Sequence, residues 1–164
     1  MGDIIGKLTA VLLAFVLLAI APVTIMVLSQ NIRTERMTWN LLTNFTDIVS
    51  DKGVLLQSDY EQFITALGAT GVHYEVIINV QHKMILPHPI YPDSFTVRYV
   101  TSGLWRSSHG GVVGVTYLEA GDNLQVVLQP ISHTRGDDLF RGLFGLHMPR
   151  QSISYASNVR NSGR

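Results

Sequence analysis

Hydrophobic positions crowd one end of this 164-residue chain and alternate with polar ones over the rest. Leu8 to Leu28 reads LTAVLLAFVLLAIAPVTIMVL, without a charge, with Thr9 and Thr24 as its only hydroxyls and no polar face. At about 1.5 Å per residue, a helix of that length matches a hydrocarbon core of roughly 30 Å. The run predicts a membrane-spanning helix anchored by Leu8, Leu12, Phe15, Leu18, Pro22, Met26 and Leu28. A cleaved secretory signal is the competing reading, because Ala19-Ile20-Ala21 has the small-x-small form of a cleavage site. Pro22 would then follow the cut, where its ring fits a peptidase cleft poorly, and apolar sequence continues through Leu28. An uncleaved anchor is therefore expected. Pro22 predicts a kink, tolerable where a neighbouring chain or Thr24 meets the freed carbonyl.

Helical spacing continues beyond the collar Ser29 to Asn31. Met37, Leu41, Leu42, Phe45, Ile48 and Val49 fall on one face, with Arg36, Thr43, Asp47 and Ser50 opposite. Lys52-Gly53 ends the helix, glycine supplying a left-handed cap and lysine complementing the dipole. No Gly or Pro lies between Pro22 and Gly53, so anchor and amphipathic stretch are expected as one helix. A second helix begins at the capping box Ser58-Asp59-Tyr60-Glu61 and buries Tyr60, Phe63, Ile64 and Leu67 until Gly68 or Gly71.

Strand periodicity takes over at Val72 to Val80, with Tyr74, Val76, Ile78 and Val80 on one side. Gln81 to Pro92, broken by Pro87, Pro89 and Pro92, is expected as a loop. Phe95, Val97 and Tyr99 make a second strand before Ser102-Gly103, and Arg106 to Gly111 a flexible connection. Val112 to Leu118 and Leu124 to Leu128 flank the turn Glu119 to Asn123 as a hairpin, and Ile153 to Val159 gives a last strand. The fold class is α+β: a membrane helix continuing into an amphipathic one, then a second helix on a small antiparallel sheet. The expected divisions are a cytoplasmic arm over 1–7, the span over 8–28, an extracytoplasmic domain over 29–159 and a frayed tail over 160–164.

Composition narrows the functional classes. Roughly 130 residues outside the span suffice for one domain. The 12 Lys and Arg balance 12 Asp and Glu without forming a run, which gives no support to a nucleic-acid surface. With no cysteine there is no disulfide framework, thiolate metal site or thiol nucleophile. Flanking charges do not decide orientation, and a short arm left inside while the larger domain crosses is preferred.

Candidate chemistry is thin. His82 and His88 flank a loop but have no second ligand at i+4 on a helix, so no metal is expected. Ser108, His109, Asp137 and Asp138 lack a nucleophile elbow. Glu61 has a capping role and Glu75 a strand position, while Gly142 and Gly145 lack the Lys and hydroxyl of a phosphate loop. Asn44-Phe45-Thr46 fits a glycosylation triplet, but Phe45 belongs to a core face. Neither enzyme activity nor a cofactor is expected. Met84 to Tyr91 and Leu139 to Met148 are apolar, irregular stretches suited to contact, and Trp39 and Trp105 are candidate partner residues.

The order of parts resembles small bacterial proteins of Flp-type (Tad) pilus systems, the TadE-like minor pilins or pseudopilins. The resemblance is carried by the N-terminal helix, TERMTWNLLTNFTDIVSDKGVLLQSDYEQFITAL over 34–67, GVHYEVIINVQHK over 71–83, GDNLQVVLQP over 121–130 and SISYASNVRNSG near the end. It implies a subunit held by its first helix among other subunits, with a small α+β head outside the cytoplasm. Such proteins are commonly cut after a Gly that has an acidic residue five positions on. Here Gly2 would place Lys7 there and Gly6 would place Val11, which favours a role at the pilus base or in assembly over a fibre role. The expected partners are membrane lipid and other pilin-like or secretion-system subunits. A membrane-tethered ligand-binding or sensor domain is the alternative.

Overall fold

A computed structural model of the protein describes residues 2–88, 90–91, 94–107, 114–132, 138, 141–142, 145 and 151–163. Among these the elements run α1 (Gly2–Lys52), β1 (Val54–Leu56), α2 (Gln57–Gly68), β2 (Tyr74–Pro87), β3 (Phe95–Arg106), β4 (Val115–Tyr117), β5 (Asn123–Pro130) and β6 (Ile153–Asn158). The α+β class and the single long first helix are as expected. Two compact units divide the chain: Met1–Arg36 with Thr134–Met148, and Met37–His133 with Pro149–Arg164.

The second unit is built on an antiparallel four-stranded sheet in the order β3-β2-β5-β6, beside a two-stranded ribbon of β1 and β4. Alternation explains its core. Val76, Ile78 and Val80 of β2 and Leu124, Val126 and Leu128 of β5 are buried in one cluster with Leu42, Phe45 and Val49 of α1 and Tyr60, Phe63 and Leu67 of α2. Phe45 and Phe63 stack with centroids 4.2 Å apart, and each such buried side chain is worth about 1.5–3 kcal/mol.

The face of α1 that enters this core is rotated from the one its apolar pattern predicts. Met37 and Ile48 are exposed, whereas Thr38, Thr46 and Ser50 are fully buried. Hydroxyls make that possible where they find acceptors: Thr46 Oγ1 donates to the Leu42 carbonyl at 2.8 Å, and Thr38 shares a 3.3 Å hydrogen bond with the Tyr74 hydroxyl. Ser50 Oγ is buried without a partner among the described residues. The helix ends as expected, on Gly53 at φ 65°, whose N–H donates to the Val49 carbonyl.

Several other expectations are corrected. Helix α2 starts at Gln57 behind Leu56, and no side chain caps it; Glu61 accepts from Gln57 Nε2 at 2.7 Å instead of closing a box with Ser58. Strand β2 does not stop at Val80 but runs to Pro87, so the loop expected from Gln81 is largely strand. It pairs through Gln81 with β5 and through Pro87 with β3, so among the described residues its distal half has one neighbour and no buried face to create alternation. Strand β3 continues past Ser102-Gly103 through a bulge, where Val80 opposes Gly103 and Gln81 opposes Thr101. Ser102 Oγ donates to the Val80 carbonyl, and a side chain at Gly103 would collide with the Trp105 ring.

The hairpin expected around Glu119 to Asn123 is not one. Strand β4 pairs with β1, an element the sequence did not announce, while β5 pairs with β2 and β6. The reason lies in the turn, where Gly121 at φ 95° and a buried Asp122 carry the chain from ribbon to sheet. The terminal segment is docked rather than frayed. Arg160 N–H donates to the Ser50 carbonyl, Arg160 Nη1 pairs with Asp51 at 2.6 Å, Asn161 Nδ2 donates to the Asp51 carbonyl, and Gly163 N–H to that of Leu118.

Candidate functional site

The largest unexplained feature is the amino-terminal part of α1. The helix contains a window of mean hydropathy 2.9 of which 6% is buried, long and apolar enough to cross a membrane. The anchor residues Leu8, Leu12, Phe15, Leu18, Met26 and Leu28 are all exposed, Phe15 and Leu18 at 73% and 78%. Pro22 lies inside the helix. Thr9, Thr24 and Ser29 each return their hydroxyl to the carbonyl four residues back, so Thr24 serves Ile20 and not Leu18, the carbonyl that Pro22 leaves without its amide.

The two tryptophans differ. Trp39 keeps 44% of its surface exposed and meets Tyr155 edge-on, with centroids 6.1 Å apart. Trp105 packs against the buried cluster from β3 and lies over Gly103. Contact chemistry is thus carried more openly by Trp39.

The histidines singled out for metal binding serve the fold. His82 Nδ1 lies 2.8 Å from Asp122 Oδ1, and its Nε2 lies 3.7 Å from Glu119. Asp122 Oδ1 also accepts the Lys83 amide, and Oδ2 the Glu119 amide at 3.0 Å. The Asp122 carbonyl accepts the Val159 amide, and Gly121 N–H donates to the Val159 carbonyl. The buried carboxylate therefore ties β2 to the turn before β5, and the backbone of Gly121 and Asp122 ties that turn to the residue after β6. His88 Nδ1 accepts the amides of Ile90 and Tyr91, closing the turn after β2. Among the described residues no group of three or more His, Asp or Glu is arranged to hold a metal ion.

The other site candidates give less. Burial raises the Tyr60 hydroxyl above its ordinary value. A groove of about 160 Å³ lies between α1 and α2, lined by Leu41, Asn44, Phe45, Ile48, Asp59, Gln62 and Phe63. That falls below the roughly 300–1,000 Å³ of small-molecule pockets. Ser108, His109 and Asp137 lie outside the described residues, as does most of Leu139 to Met148. Sequence reasoning took Met84 to Tyr91 for a contact loop and missed its other half: Phe95, Val97 and Tyr99 are exposed on the adjoining strand. Their alternation was the available signal, but alternation alone does not say which face is covered.

No family model matches the chain, and no curated protein or solved structure matches it either.

Proposed function

We propose that this chain is a single-pass membrane subunit that acts by protein contact and not by catalysis. Its proposed role is as a minor pilin-like or secretion-assembly component with its head outside the cytoplasm. The observation that carries the reading is the outward display of Leu8, Leu12, Phe15, Leu18, Met26 and Leu28 on a helix. Apolar surface left in water forgoes about 25 cal/mol per Å², a cost that acyl chains remove. The hydroxyls of Thr9, Thr24 and Ser29 bond to carbonyls within the helix, as a lipid environment requires of such groups. Pro22 directly after the Ala19-Ile20-Ala21 site, and apolar sequence continuing through Leu28, favour an uncleaved anchor over a released protein. Occupation of His82, Asp122, His88 and Glu61 by structural hydrogen bonds favours contact over catalysis.

The test is purification of the tagged full-length chain from its host in mild detergent. Intact mass and defined pilin-like or secretion-ATPase companions, enriched over an anchor-swapped control, are expected. A mature amino terminus at Pro22, or a lone monomer recovered without detergent, would refute the reading.

A further inference from the structure

The β2–β3 hairpin extends beyond the sheet as an arm. Strand β5 leaves β2 at Gln81, and among the described residues the pairs from His82 with Val100 to Pro87 with Phe95 have only each other. Directly opposed residues share a face, so Ile85, Pro87, Phe95, Val97 and Tyr99 lie on one side, with Lys83 at its base. Met84, Leu86 and Val100 lie on the other with Arg98. Both sides are exposed, and so is the tip: Ile90 at 73%, Phe95 at 70% and Tyr91 at 65%. A monomer in water seldom displays such an apolar projection without using it.

The described residues of the tip also bond among themselves. His88 Nδ1 takes the Ile90 and Tyr91 amides, the Tyr91 carbonyl takes both the amide and the hydroxyl of Ser94, and the Ser94 carbonyl takes the His88 amide at 2.9 Å. A protein groove could supply hydrogen bonds to such a turn, whereas hydrocarbon supplies none, so self-satisfaction of this kind suits lipid. Apolar surface on both faces points the same way, since a protein partner covers one side and acyl chains surround. Tyr91 and Tyr99 are of a ring type enriched at the headgroup level, Phe95 adds apolar surface, and Lys83 and Arg98 complement anionic lipid.

We infer that the Met84–Val100 arm is a second, shallow membrane contact, inserting its tip into the interfacial zone of an anionic phospholipid surface. The inference rests on the anchor reading above, because tethering by α1 supplies the effective concentration that makes a small apolar tip sufficient. Ladder edges left unpaired among the described residues along both strands of the arm, and the acid Asp93 in the sequence between the strands, restrict insertion to the interface.

Absence of cysteine lets Ile90→Cys carry one environment-sensitive fluorophore. The full-length labelled chain is reconstituted in vesicles of mixed phosphatidylcholine and phosphatidylglycerol, floated, and read with nitroxide lipids. Blue-shifted emission, quenched more by nitroxides near the headgroup than by those at the bilayer centre, is expected. Quenching should weaken in phosphatidylcholine alone or with Lys83→Glu and Arg98→Glu together, and Tyr91→Cys should repeat the result. Co-flotation with unshifted emission overturns the inference, as does a blue shift that nitroxide lipids leave unquenched, which would mean a protein or second copy covers the arm. Failure to float overturns the anchor reading and this one with it.

Discussion

At the scale of single residues, the most consequential side chain is Asp122. Its carboxylate is buried and meets the Lys83 amide, the Glu119 amide and the His82 ring, while its own backbone carbonyl and the Gly121 N–H hold Val159. Removing it leaves donors in a site too closed for easy solvation, each costing about 1–3 kcal/mol when unsatisfied. Asp122→Ala is therefore expected to destabilise the second unit by about 3 kcal/mol, with Asp122→Asn intermediate because one acceptor oxygen survives. Urea unfolding of the detergent-solubilised chain, followed by the fluorescence of Trp39 and Trp105, measures this; equal stability of Asp122→Ala and wild type would contradict it. Nothing in the sequence singled out this residue beyond its place in a turn. Turn chemistry names the residue type, but only the fold reveals that β2, the turn and the residue after β6 meet on it.

At the scale of elements, the junction between α1 and β1 turns on Gly53. Its φ of 65° is left-handed, and a Cβ there would run into the Asn161 backbone of the docked tail. Gly71, at φ 78° after α2, has the same conformation with open space around it. Gly71→Ala should thus show the conformational cost alone, about 1–2 kcal/mol, and Gly53→Ala should cost more by displacing the tail. Unfolding midpoints of the two variants, with proteolytic clipping near Arg160 as a second readout, decide it; a Gly53→Ala no worse than Gly71→Ala would show the tail contact to be dispensable. The cap itself was legible in Lys52-Gly53, as were α2 and the buried side of Val76, Ile78 and Val80, because each depends on neighbours in sequence. What was not legible depends on neighbours in space. The distal half of β2 lacks alternation because both its faces are open, and the hairpin reading of β4 and β5 failed because β1, only three residues long, gave β4 another partner. The buried face of α1 was misjudged because Thr38 and Thr46 enter the core once their hydroxyls are bonded.

At the scale of the whole molecule, the two units ask for different solvents, and that contrast is measurable. Phe15 and Leu18 are among the most exposed residues of the chain, so in water their replacement by a charged residue would be nearly neutral, within about 0.5 kcal/mol. In a bilayer the same change carries the cost of charge near the centre of a span. Over Leu8 to Leu28, insertion terms of about −0.3 to −0.6 kcal/mol for each Leu, Ile, Val and Phe sum to the order of −5 kcal/mol, and each central Arg opposes them by about 3 kcal/mol. Leu18→Arg should weaken insertion and Phe15→Arg with Leu18→Arg should nearly cancel it. The core of the second unit contains neither residue, so its circular dichroism and unfolding midpoint should be unaffected. Alkaline carbonate extraction of cells reads the first effect: wild type is expected in the membrane pellet and the double variant in the supernatant. If both variants pellet like wild type while resisting extraction, the apolar face of this helix is not held by lipid, and the contact role proposed for the chain loses its physical basis.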